Sequence, residues 1–212
     1  MRDKPPDPQP TIWTVGHSNH PWEVFLDLLR QQRIDVVVDV RSSPYSAYAS
    51  HFNKEVVQHE LRSRQIKYLF LGDRLGGRAE NHDFYDEQGH VLYGRVAESP
   101  QFQQGIQRLL DGIADYRVAL LCGEEDPTEC HRRLLIGRVL ADRGVSVMHI
   151  RGDLRVQSEE DVAAEELFRK TKGQLSLFDM EETDEWKSTQ SVLPRKAPTN
   201  SSNSSSDTPS GD

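Results

Sequence analysis

Five short runs constrain this chain most: Ile12–Val15, Val36–Val40, Tyr68–Leu71, Val118–Leu121 and Val145–Ile150. They are rich in β-branched residues and apolar at successive positions, the pattern of strands covered on both faces in a parallel sheet. Helical patterns lie between them. Pro21–Gln32 carries Trp22, Phe25, Leu26 and Leu29 at helical spacing, with Pro21 suited to a first turn. Lys54–Arg64 follows a candidate Asn53 cap. Pro100–Ala114 follows a Ser99 cap and has Phe102, Ile106, Leu109, Leu110 and Ile113 as its stripe. His131–Arg143 ends at Gly144, and Ser158–Lys170 opens on a Ser cap and three acids. Strand and helix alternate throughout. The expected fold is α/β, a three-layer sandwich with a mainly parallel sheet of about five strands.

Composition sets the edges of that domain. Only 35% of the 212 residues are hydrophobic, so part of the chain lies outside a core. Residues 1–10, with four prolines, read as a flexible leader, 11–170 as the α/β domain, and 171–212 as a mostly disordered acidic and Ser-rich tail. No run approaches 18 apolar residues, so no membrane span is expected, and the N-terminus does not resemble a secretory signal. Two cysteines exclude a disulfide scaffold and suit a cytoplasmic protein. The formal charge of −8 argues at first against nucleic acid. It is unevenly spread. Residues 11–157 carry 18 basic and 20 acidic side chains, whereas 158–212 carry 6 and 12. The 18 bases are 16 Arg and 2 Lys, and Arg is the planar, bidentate partner of phosphate.

In open parallel sheets ligands bind beyond the carboxyl ends of the strands. Here those ends are polar: Gly16-His17-Ser18-Asn19, Asp39-Val40-Arg41-Ser42-Ser43-Pro44, Gly72-Asp73-Arg74-Leu75-Gly76-Gly77-Arg78, Cys122-Gly123-Glu124-Glu125-Asp126 and His149-Ile150-Arg151-Gly152-Asp153. Cys130-His131-Arg132-Arg133 follows at a helix start, where free backbone N–H groups favour an anion. The candidates are therefore His17 or His131 as general acid or base, Asp39 or Glu124 as orienting or water-activating carboxylate, and Arg41 and Arg132 as phosphate holders. The bland alternative is that each caps a helix or pairs with a local charge. Cys122 at a strand end resembles the nucleophile of the sulfurtransferase (rhodanese) pattern, but Glu124, Glu125 and Asp126 would raise its pKa and repel an anionic substrate. A zinc site at Cys122, Cys130 and His131 lacks a fourth ligand, with His17 a candidate, and C-x7-C-H is not a standard zinc spacing. No metal or cofactor is expected.

Thr14-Val15-Gly16-His17-Ser18-Asn19, Val37–Pro44, Leu71-Gly72 through Gly77 and Leu121-Cys122 through Cys130-His131-Arg132 resemble the bacterial and archaeal domain of unknown function 488 family over about residues 11–155. The resemblance implies a cytosolic α/β domain suspected of being enzymatic, with no settled reaction. It marks His17, Asp39, Arg41, Cys122, Glu124, Cys130, His131 and Arg132. A related branch with an Asn-His pair in place of Cys-His favours His131 over Cys130 as the working group.

Gln174-Leu175-Ser176-Leu177-Phe178 resembles the pentapeptide by which bacterial polymerases and repair proteins dock on the replication sliding clamp. An extended peptide would place Leu175, Leu177 and Phe178 in apolar pockets, with Gln174 hydrogen-bonded. Alternatively these residues pack back on the domain as a clasp. The leading expectation is a DNA repair or replication protein, a nucleotide- or nucleic-acid-processing enzyme tethered to the clamp. A Cys122-dependent sulfurtransferase-like enzyme and a non-catalytic clamp adaptor are the alternatives.

Overall fold

The computed structural model describes residues 9–171 and 185–192. The sheet forms where the apolar runs predict it. β1 (Thr11–Gly16), β2 (Val36–Asp39), β3 (Lys67–Phe70), β4 (Val118–Cys122) and β5 (Ser146–Ile150) are joined by a sixth strand, β6 (Val156–Ser158). The order is β3-β2-β4-β1-β5-β6, parallel except for the antiparallel β5–β6 pair. The chain is thus α/β with a mostly parallel sheet, as expected, and one strand wider.

Successive strand residues point to opposite faces, so the two-sided apolar runs fill two cores. On one face Trp13, Val15, Val37, Ala119 and Leu121 meet α1 (Trp22–Gln31) and α2 (Lys54–Ser63) through Phe25, Leu29, Val57 and Leu61. On the other, Ile12, Val36, Val38, Val118 and Leu120 meet a second helical layer. That layer includes two short helices the periodicity does not announce, α3 (Gly72–Leu75) and α4 (Tyr93–Glu98), and the long α5 (Pro100–Asp115). Ser99 caps α5 as expected, accepting from the Phe102 N–H at 3.3 Å. Asn53 makes no side-chain cap on α2; its Oδ1 takes the Ser46 N–H at 2.8 Å and pins the loop after β2.

The helix expected at 131–143 opens as a wider π-helical turn, Arg132–Gly137, and only then becomes α6 (Arg138–Ala141). Such turns occur often at functional sites. Gly144 ends it with φ +79°, the left-handed conformation glycine adopts without strain. Ser158 closes β6 and caps α7 (Glu159–Thr171): its Oγ takes the Asp161 N–H at 3.1 Å, while Asp161 Oδ2 takes the Ser158 N–H at 2.9 Å. This reciprocal pair is a capping box.

The segment 185–192, expected within a disordered tail, lies against the domain. Trp186 packs on Tyr93, donates its indole N–H to Leu134 O at 2.7 Å and sits under the Arg138 guanidinium. Ser188 and Val91 exchange two hydrogen bonds at 2.9 Å, and Lys187 pairs with Asp86 at 3.0 Å. The pentapeptide 174–178 lies outside the described residues. No helix among the described residues is long and apolar enough to cross a membrane.

Trp186→Ala removes the segment's one large apolar anchor. It should lower the free energy of unfolding in urea by about 2 kcal/mol and make 185–192 a site of early proteolysis. An unchanged urea midpoint would mean that the docked segment does not hold the fold.

Candidate functional site

The helices following β1 and β4 pack on opposite faces of the sheet, although the two strands are neighbours. Their carboxyl ends therefore diverge into a crevice, as at the switch point of open α/β sheets. The strands remain paired to its lip: Gly16 stands opposite Cys122, the His17 N–H reaches Cys122 O at 2.9 Å, and the Ser18 N–H reaches Gly123 O at 2.9 Å. The approach is closest at Gly16, where a Cβ would stand 1.8 Å from Glu124 O. The cleft encloses about 800 Å³. Its lining includes His17, Ser42, Tyr45, Arg78, Glu124 and His131, with residues 188–192 as one wall.

The sequence candidates fall into two groups. The first is built on Asp39, the last residue of β2, which is fully buried. Arg41 clasps it with two side-chain bonds, Nε to Oδ1 at 2.9 Å and Nη2 to Oδ2 at 2.6 Å. Tyr68 donates to Oδ2 at 2.8 Å. Arg41 Nη1 donates to Phe52 O at 2.8 Å and to His17 Nε2 at 3.1 Å. A guanidinium has no acceptor, so His17 Nε2 carries the lone pair and Nδ1–H donates to Ser18 O at 2.6 Å. His17 stacks on Phe52 with ring centroids 4.3 Å apart. Burial, then the Arg41 charge, lower its pKa to about 4. His17 is thus a neutral ring with both nitrogens engaged, and Arg41 has its donors turned inward. The acid-base role expected for His17 and the phosphate-holding role expected for Arg41 do not match this geometry; both brace the crevice.

Arg132 is likewise internal. Its side chain is almost fully buried and donates to Glu124 O, to Glu125 O at 2.6 Å and to Thr14 Oγ1 at 3.4 Å. It holds the loop after β4 instead of facing an anion. The three acids of that loop separate. Glu125 forms a bidentate pair with Arg151, both contacts at 2.9 Å, and takes the Gly152 N–H at 3.0 Å. Asp126 caps the turn at Thr128, taking its N–H at 2.9 Å. Glu124 alone of the three lines the cleft.

The second group is Cys122, Glu124, Cys130 and His131. Cys122 and Cys130 donate to Glu124 Oε2 at 2.7 Å and 3.2 Å. His131 Nδ1 lies 3.8 Å from each sulfur, and Nε2 lies 3.0 Å from Val40 O. The cysteines are free and buried, whereas Glu124 is exposed. The hydrogen bond with Cys130, then burial, push the Cys122 thiol well up. Burial opposes a thiolate at Cys130 too, but the Cys122 hydrogen bond and the charges of Arg132 and His131 prevail and make it the more acidic thiol. Burial also opposes charge on His131, yet Cys130 and Glu124 raise its pKa. A buried, protonated Cys122 lacks the exposed, electropositive setting of a reactive thiol.

Two residues that the sequence reading did not select belong to the cleft. Arg78 follows the Gly76-Gly77 pair, makes no side-chain hydrogen bond or ion pair among the described residues, and is exposed on the wall. Gly77 lets that segment pass the His131 ring, where a Cβ would stand 2.8 Å from Nδ1. Tyr45, 56% exposed, also lines the cleft. Arg78 stood in a recognisable strand-end loop and Tyr45 one residue beyond another, but nothing in their spacing separated them from surface residues.

An α/β domain with a polar cleft at its strand ends is the class that fold and site define. A model of the family "Domain of unknown function DUF488" matches residues 21–139, over half the chain, and the chain belongs to that family. β1, β5 and β6 lie outside the match yet complete the sheet. No curated protein and no solved structure matches the chain.

Arg41→Met should unfold more easily by about 3–5 kcal/mol, because it leaves Asp39 as an uncompensated buried charge. Urea unfolding measures this. A cost below about 1 kcal/mol, as for exposed ion pairs, would show that the clasp is not structural.

Proposed function

We propose that the chain is a nucleotide- or nucleic-acid-processing enzyme working in this cleft and brought to DNA by docking of Gln174–Phe178 on the bacterial sliding clamp. The observation that carries the catalytic half is that Arg78 and Tyr45, both exposed, line the same cleft as Glu124. A guanidinium free to meet phosphate and an exposed aromatic face able to stack on a base are the two holds a nucleotide needs. Glu124, which with Glu129 is an exposed carboxylate lining the cleft, is suited to take a proton from an attacking water. Cys122 and Cys130 fix its carboxylate from behind. The reaction class is hydrolysis or base processing.

The clamp half rests on the pentapeptide alone. The domain has no strong basic field, so a docking peptide explains recruitment better than phosphate attraction. A cytoplasmic site of action follows from both halves. Sulfur transfer through Cys122 is less favoured, since that thiol is buried and its ionisation opposed.

Two experiments test the two halves. Clamp-coated resin should retain the wild type and lose a Leu177→Ala/Phe178→Ala double variant; equal retention of both, or of neither, overturns the tether. Arg78→Ala should weaken binding of a fluorescent nucleotide or short oligonucleotide about tenfold, a loss of about 1.4 kcal/mol, and Glu124→Gln should abolish turnover while binding persists. A wild type that neither binds nor turns over any nucleotide or oligonucleotide leaves only the clamp adaptor.

A further inference from the structure

The geometry points to a zinc site formed by Cys122 Sγ, Cys130 Sγ, His131 Nδ1 and Glu124 Oε, with Glu124 as the cleft-facing, displaceable ligand. These donor atoms lie within 4.8 Å of one another. In tetrahedral zinc, metal–ligand lengths of about 2.0–2.3 Å put sulfur about 3.5–3.8 Å from its neighbouring donors. The two sulfur–nitrogen separations, both 3.8 Å, already have that spacing. The carboxylate oxygen, at 2.7 Å and 3.2 Å from the sulfurs, needs to retreat by less than about 1 Å, which an exposed Glu does by rotating.

The surroundings are those of a ligand shell. Val40 O can only accept, so a neutral His131 carries its proton on Nε2 and presents the Nδ1 lone pair to the sulfurs. That backbone partner is the usual orienting contact of a metal-bound His. Arg132 grips the carbonyls of Glu124 and Glu125, fixes the loop that supplies the fourth ligand, and offsets the residual negative charge of two thiolates and a carboxylate around one Zn²⁺. His17, named from the sequence as a candidate fourth ligand, is excluded because its Nε2 is taken by Arg41.

Two Cys and one His held in the interior, with a fourth position open to a cleft, is a ligand set of catalytic zinc, whereas structural sites are closed. With Glu124 displaced, a water on the metal would face the cleft and pass its proton to the freed carboxylate, leaving metal-bound hydroxide. The site does not depend on which substrate the cleft accepts.

The test uses the full chain, reduced and titrated with Co²⁺, then with Zn²⁺. One equivalent of Co²⁺ should give thiolate-to-metal charge-transfer absorption and the intense visible bands of tetrahedral cobalt, and Zn²⁺ should bleach both. Cys130→Ser should lose the charge-transfer signal at least in half. Glu124→Ala should keep tetrahedral cobalt but bind it at least tenfold more weakly. Circular dichroism checks that each variant is folded. Weak octahedral cobalt spectra in the folded wild type, or less than a tenth of an equivalent of zinc retained after desalting, would overturn the site. Tetrahedral cobalt in a chain that binds no nucleotide keeps the metal site and removes only the nucleotide reading.

Discussion

Arg132 carries a full positive charge almost entirely out of water, and its three nitrogens end on oxygens of two structural elements. An unpaired buried charge is expensive, so the loop after β4 is held with its carbonyls inward or the guanidinium is not solvated at all. That constraint decides where Glu124 stands. It also explains why β1 ends in glycine: the loop is pulled so close that no side chain fits at Gly16. The crevice, the Glu124 carboxylate that lines it and the close pairing of β1 with β4 all depend on this one grip.

A second buried charge sits on the other side of the crevice. Asp39 and Arg41 neutralise each other, and Tyr68, Phe52 and His17 absorb the remaining hydrogen-bonding capacity. The two networks flank the four-residue group of Cys122, Glu124, Cys130 and His131 without sharing a hydrogen bond with its side chains. The site is therefore preorganised by residues whose hydrogen-bonding groups turn inward, as expected where function needs fixed geometry.

The sheet was legible because its strands are apolar on both faces and its helices carry regular stripes. β6 was not, since Val156-Gln157-Ser158 is too short to show a pattern and its Ser doubles as a helix cap. The π-helical turn was hidden because its Leu134, Leu135 and Ile136 suit an α-helix equally well. At the site, sequence brought forward most of the strand-end residues that meet at the crevice, but not their orientation. Arg41 and Arg132 read as phosphate ligands because composition cannot show whether a guanidinium points in or out. Glu124 read as repelling an anion because its separation from Glu125 and Asp126 is a fact of three dimensions. Trp186 lay unnoticed in a polar stretch because one aromatic residue has no periodicity.

The docked segment around Trp186 joins the far end of the described chain to the cleft. The stretch bearing residues 174–178 begins at Thr171, at the end of α7, and returns to the domain at Trp186. Fourteen residues, 172–185, separate these two anchors along the chain. Ser188–Val192, just past the second anchor, form a wall of the cleft. Whatever displaces Trp186 therefore alters that wall directly, without passing through the sheet.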